Sequence, residues 1–181
     1  SKSGIFKNSS ELIENNIGQK TSRKIVSADF NADGILDFVA ASHPEKIDEE
    51  FSYLDVVISN SFGWKQETLY GPNRFRQEGY FHGVSVGDVD NDGDIDIVVA
   101  NFHDPEGQFT LLNDGQANFE RVYSIRNSKL IGEKEAFTNE LFDIDSDGCL
   151  DLIYAAVNNR GSIAKIAYGS CDGYDDIIQP K

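Results

Sequence analysis

Methionine is absent from the 181 residues, tryptophan occurs once, histidine three times and cysteine twice. The spacing of the two cysteines matches no zinc set. No Gly-x-Ser-x-Gly, His-Glu-x-x-His or phosphate-cradling glycine loop occurs. The longest uninterrupted apolar run, residues 152–157, has six residues, whereas a membrane-spanning helix needs about 20. Basic residues are also scarce: 16 against 31 acidic ones leave a net charge of −15. That balance argues against nucleic acid or an anionic membrane surface as partner. At 20.1 kDa and 39% apolar residues the chain has the size of one domain and enough apolar side chains for a packed core. The missing methionine, initiator included, fits a processed chain or a portion of a longer one.

What the chain does have is aspartate, placed periodically. Three segments can be written over one another: Asp29-Phe-Asn31-Ala-Asp33-Gly34-Ile35-Leu-Asp37, Asp88-Val-Asp90-Asn-Asp92-Gly93-Asp94-Ile-Asp96 and Asp143-Ile-Asp145-Ser-Asp147-Gly148-Cys149-Leu-Asp151. Their starts lie 59 and 55 residues apart, which is the mark of a repeat architecture. The shared pattern D-x-[DN]-x-D-G-x-x-D sets side-chain oxygens at positions one, three, five and nine. A glycine at six permits a sharp turn, and the main-chain carbonyl at seven belongs to Ile35, Asp94 or Cys149. Hard oxygens gathered in a tight loop suit calcium, one ion per loop. A solvated acidic turn is the bland alternative, but three copies unbroken at the ninth position disfavour it. An EF-hand would add a glutamate at position twelve; here that position holds Ala40, Val99 or Tyr154. Each loop instead enters a β-prone stretch, residues 38–41, 97–100 or 152–155. The EF-hand is rejected.

The rest of each repeat reads as strands. First strands are expected over residues 24–28, 83–87 and 137–142. Third and fourth strands are expected over 53–59 and 63–69, 109–113 and 119–123, and 163–168 and 173–178. Asn113-Asp114-Gly115 between two apolar stretches is a hairpin signal. Four antiparallel strands at this period describe a propeller blade. The loop, the apolar strand after it and the Leu111-Leu112-Asn113-Asp114-Gly115…Asn118-Phe119 hairpin resemble FG-GAP/VCBS repeats, the blades of integrin α-type calcium-binding β-propellers. The resemblance covers residues 20–178. It implies an all-β chain of three four-stranded blades carrying three structural calcium ions. Residues 1–13 would be the outer strand of a preceding blade and a linker, since Gly4-Ile5-Phe6-Lys7 aligns with Ala117-Asn118-Phe119-Glu120. Blades would follow over 14–70, 71–123 and 124–181. Such propellers close with more than three blades, so the chain is expected to be part of a larger propeller or to assemble with copies of itself. The resemblance further implies a secreted, cell-surface or periplasmic module for adhesion or recognition of a protein or carbohydrate. Its alternative is an accessory or catalytic propeller of a secreted polysaccharide-degrading enzyme.

A hairpin turning at residues 158–161 pairs residue 157 with 162 and carries Cys149 opposite Cys171 to within one residue. The two are then within disulfide reach, as expected of an oxidising compartment. Asn8-Ser9-Ser10 matches a glycosylation acceptor. No catalytic residue is assigned, because the paired carboxylates are consumed by calcium. His43 and His103, each just after a second strand, read as loop structure. In an up-and-down blade the metal loops share one end with the 3–4 turns. The other end collects residues 43–52, 71–82, 102–108 and 124–136. Its richest stretch supplies the candidate ligand-binding residues Arg74, Arg76, Tyr80 and His82.

Overall fold

The computed structural model describes residues 10–14, 22–43, 52–71, 80–102, 108–122, 136–158, 161–171 and 173–178. Arg74, Arg76, His103, Asn8 and the 4–7 segment lie outside these. Among these residues a 3-10 turn, Ser10–Leu12, precedes thirteen strands. The first sheet is built from β1 (Ile13–Glu14), β2 (Ser22–Ala28), β3 (Asp37–Ser42), β4 (Tyr53–Asn60) and β5 (Gly63–Tyr70). The second holds β6 (Tyr80–Gly87), β7 (Asp96–Phe102), β8 (Phe109–Asn113) and β9 (Phe119–Val122). The third holds β10 (Ala136–Phe142), β11 (Asp151–Asn158), β12 (Gly161–Ser170) and β13 (Gly173–Ile178). Neighbouring strands are antiparallel and follow chain order, except at one edge. Among the described residues no helix is long and apolar enough to cross a membrane.

That edge corrects the expectation of four strands per repeat. The first sheet has five, because β1 runs parallel to β5 with Ile13 opposite Trp64. Gly63, at φ 146°, permits the approach, since a Cβ there would collide with the Leu12 carbonyl. A two-residue strand has no periodicity to read, so the sequence hides it.

The three sheets stack face to face, and the middle one is covered on both sides. In β7, Ile97 and Val99 pack towards the first sheet with Val39, Leu54 and Val56. The intervening Val98 and Ala100 pack towards the third with Leu152 and Tyr154. A strand buried on both faces reads as an unbroken apolar run rather than an alternation. That is why 97–100 carries no polar residue. The first strands come close together: a Cβ on Gly83 of β6 would meet the Thr138 Cα of β10 at 2.8 Å. Lys24 of β2 also reaches the third sheet, donating to the Asn139 carbonyl at 2.8 Å and pairing with Glu140 at 2.5 Å.

Each first strand also carries a β-bulge at the same point. Register shifts fall between Ser22 and Lys24, between Phe81 and Gly83, and between Ala136 and Thr138. The extra residues are therefore Arg23, His82 and Phe137.

Candidate metal centres and the opposite strand ends

The three acidic loops connect β2 to β3, β6 to β7 and β10 to β11. Their backbones agree closely. Position four, Ala32, Asn91 or Ser146, is left-handed at φ 56°, 62° and 64°, and the glycine at six follows at 82°, 98° and 91°. In every loop the first aspartate accepts the amides of positions five and six, one on each oxygen, as Asp88 does from Asp92 at 3.1 Å and Gly93 at 3.0 Å. The fifth carboxylate accepts the amide of position seven: Asp33 from Ile35, Asp92 from Asp94, Asp147 from Cys149. Such side-chain to main-chain bonds fold the segment into a ring that turns its remaining lone pairs inward.

The ninth aspartate works differently. Asp37, Asp96 and Asp151 are all wholly buried. One oxygen accepts the amide of position two (Phe30, Val89, Ile144) at 2.7–2.9 Å. The other accepts an amide of the third strand: Ser59 at 2.6 Å, Asn113 at 2.9 Å or Gly169 at 2.9 Å. This residue thus staples loop to sheet as well as offering an oxygen to an ion.

Oxygens of Asp88, Asp90 and Asp96 lie within 4.8 Å of one another, as do those of Asp143, Asp145 and Asp151. Calcium–oxygen distances of about 2.3–2.6 Å allow a common ion to span such a set. In the second and third loops the oxygens of positions one, three and nine thus converge, while one oxygen of the fifth carboxylate accepts the amide of position seven. Two observations in the second loop fit a cation. Asp90 Oδ1 is buried with no hydrogen-bond partner. Burial pushes the Asp96 carboxyl up to about 7, with Asp90 and Asp92 adding to the rise against the amides of Asn113 and Val89. Asp90 is raised as well, by burial and then by Asp92. Carboxylates this reluctant to ionise are those a divalent cation stabilises. In the first loop the third position is Asn31. Its amide donates to the Ser59 carbonyl at 3.2 Å, and Asp33 Oδ2 accepts the Ser59 hydroxyl at 2.7 Å, which holds the Asp33 carboxyl below the usual range. The acidic clusters of the second and third loops could each hold a metal ion.

A family model for the FG-GAP-like repeat matches residues 29–99 and again 88–154. The chain belongs to the FG-GAP-like repeat family. No curated protein matches it. Both matches of this FG-GAP chain start on the first aspartate of a loop, so the family signal and the acidic rings coincide.

At the other end of the strands Tyr80 and His82 are brought together, along with residues that sequence reasoning set aside. His43 stacks on His82, ring centroids 4.6 Å apart, and its Nε2 accepts a hydrogen bond from Arg23. Tyr80 lies edge-on to His43 at 5.4 Å. Phe137 meets His82 at 5.0 Å and stacks on Phe102 at 4.2 Å. The three bulge residues thus contribute one side chain from each sheet to a single cluster, and bulges characteristically re-aim side chains in this way. Burial, then His43 and Arg23, lowers His82 to about 4, so its ring is neutral at pH 7. A signal for the cluster was present in the sequence: Arg23, His82 and Phe137 each stand six residues before a loop's first aspartate. Cys149 and Cys171 sit at disulfide distance, with Cα atoms 5.1 Å apart.

Proposed function

We propose that this FG-GAP chain is a calcium-stabilised portion of a β-propeller that serves as an extracellular recognition module, secreted, on the cell surface or periplasmic. The observation that carries the calcium assignment is the repeated oxygen triad with its buried, unpartnered Asp90 oxygen. Calcium would be held by Asp29, Asn31, Asp33 and Asp37; by Asp88, Asp90, Asp92 and Asp96; and by Asp143, Asp145, Asp147 and Asp151. The carbonyls of Ile35, Asp94 and Cys149 complete the rings. The ion supplies the positive charge these carboxylates require, so its role is structural. The first loop, with Asn31 in place of an aspartate, binds most weakly.

Recognition would run through the end opposite the metal loops. There the Tyr80–His82 cluster offers aromatic faces and the Arg23 guanidinium, a combination suited to a sugar ring or a protein side chain. Further FG-GAP-like repeats, of the same chain or of other copies, would cover the two outer sheet faces. The exposed Ile25 of β2 on the first sheet and Phe142 of β10 on the third support this.

Titration calorimetry with calcium tests the first part. Three uptake events are expected, the weakest abolished by Asp29→Asn, together with a melting temperature many degrees lower in chelator. Absence of uptake refutes it. For recognition, wild type and a Tyr80→Ala/His82→Ala variant are compared on immobilised glycans and extracellular-matrix proteins. Loss of binding with an unchanged melting temperature supports the site, and equal binding by both refutes it.

A further inference from the structure

The three loops are alike in their rings but not in what braces them. Position two of the first loop, Phe30, is 1% exposed and packs edge-on against Phe119 of the next sheet at 5.5 Å. Its carbonyl accepts the Asn113 side chain at 2.8 Å and the Ala117 amide at 3.1 Å. Val89 of the second loop, at 5% exposure, is likewise buried in the core shared with the third sheet. Ile144 of the third loop is 39% exposed. Among the described residues no neighbouring sheet covers it. The third loop is braced by something else.

That brace is the Cys149–Cys171 pair. Cys149 is position seven of the loop, its amide donating to Asp147 Oδ1 at 2.8 Å. Cys171 follows β12, two residues beyond Gly169, whose amide binds Asp151 Oδ1. The bridge therefore ties together the chain segments that orient the fifth and ninth carboxylates. In the second repeat the same two positions meet without a covalent bond. Asp94 is position seven, and Gly115 lies two residues beyond Asn113, whose amide binds Asp96. A Cβ on Gly115 would stand 2.5 Å from Asp94 Oδ1. Position seven against the 3–4 turn is thus a recurring contact, made covalent where the covering sheet is missing.

We infer that the Cys149–Cys171 bridge is a positioning device that sets the calcium affinity of the third loop and makes it depend on redox state; this rests on the calcium assignment. Oxidised, the bridge holds the Cys149 carbonyl and the Asp147 and Asp151 carboxylates in place. Reduction frees the loop, which must then be ordered at the moment of binding. The reductant is a dithiol. One of its thiolates attacks the sulfur of Cys171, the exposed partner, forming a mixed disulfide. The Cys149 sulfur leaves as a thiolate and takes a proton. The second thiol of the reductant then displaces Cys171, giving two protein thiols and an oxidised dithiol, a two-electron exchange. Because coupling is reciprocal, calcium must protect the bridge from reduction by the same factor by which reduction weakens calcium.

The full chain is titrated calorimetrically with calcium alone, as oxidised wild type, as dithiol-reduced wild type and as Cys149→Ser/Cys171→Ser. One site is expected to weaken about tenfold on reduction or substitution while the other two hold, and Asp143→Asn/Asp145→Asn should remove that site. In a dithiol redox titration of wild type, which needs no variant to fold, a tenfold coupling appears as a shift of about 30 mV between calcium and chelator. Three unchanged affinities, or a midpoint insensitive to calcium, overturn the inference while leaving the calcium assignment standing. No calcium uptake in any form overturns the assignment itself, and the inference with it.

Discussion

Replacing Asp96 by asparagine isolates the double role of the ninth loop position. The carboxylate is fully buried and accepts two amides, Val89 and Asn113, each at 2.9 Å. Asparagine has nearly the same shape but only one accepting oxygen, so its NH2 must confront one of those amides. Charge-assisted bonds contribute about 1.5–3 kcal/mol, and a stranded buried donor costs about 1–3 kcal/mol. With calcium bound the ion also loses a ligand charge, so a destabilisation of about 3 kcal/mol is expected. For a chain of this size that lowers the melting temperature by about 6–12 °C. In chelator the outcome changes. The Asp96 carboxylate is then an unneutralised charge beside Asp90 and Asp92, and burial already opposes its ionisation. Removing the charge relieves that repulsion and offsets most of the lost bonding, leaving a penalty of about 1 kcal/mol. Urea unfolding of wild type, Asp96→Asn and the exposed control Asp92→Asn, each with calcium and with chelator, measures both numbers. The reasoning fails if Asp96→Asn costs no more than Asp92→Asn in calcium, or if its cost is the same in both conditions.

Phe30→Ala should cost about 3–5 kcal/mol, because it empties a filled site between two sheets, whereas Ile144→Ala at the equivalent position should change little; similar urea midpoints for the two variants would show that the loops are braced alike. Acid stability should depend on His82. Its folded pKa of about 4 lies below the ordinary 6.5, beside His43 and Arg23, so the unfolded chain takes the proton first and stability falls as pH drops from about 6.5 to 4. Allowing for solvent around the half-exposed ring, the loss is about 1 kcal/mol. His82→Phe should flatten that part of the pH profile, and an unchanged slope would show the ring titrates normally. Arg74→Ala/Arg76→Ala should weaken ligand binding with little change in melting temperature; normal binding, or unfolding, would remove both arginines from the recognition surface.

Much of this architecture was legible in the sequence, for reasons that can be traced to particular residues. The loops were visible because their ring is closed by local bonds, such as Asp88 to the amides of Asp92 and Gly93, which need fixed residue types at fixed spacing. The second strands were visible because burial on both faces leaves residues 97–100 wholly apolar. The approach of Cys149 and Cys171 followed from counting along a hairpin. The bulges were not legible in the same way. A bulge is a difference in count between paired strands, and Arg23, His82 and Phe137 share a spacing before the loops but no chemistry that would mark it. His43 followed a second strand and preceded a proline, so it read as loop; only the stacking on His82 reveals its place. The second task of the fifth carboxylate was hidden too, since Asp33, Asp92 and Asp147 fit the ligand pattern while one oxygen of each accepts the amide two residues on.

The repeats are not independent beads, and one side chain shows why. The Asn113 amide nitrogen of the main chain holds Asp96 of the second loop, while its side chain donates to the Phe30 carbonyl of the first loop at 2.8 Å and to the Ile95 carbonyl at 3.1 Å. The start of the turn that closes one repeat is thus bonded to both its own acidic loop and the preceding one. Whatever orders the second loop fixes Asn113 through Asp96, and a fixed Asn113 restrains Phe30 and the ring that begins at Asp29. Stability in repeat chains is a sum of weak units and strong interfaces, and here the interface passes through the metal loops themselves. On the proposed calcium assignment, ion binding, loop order and sheet-to-sheet packing would belong to one cooperative process in the first two repeats. The third loop, braced by its cysteines, stands partly outside it.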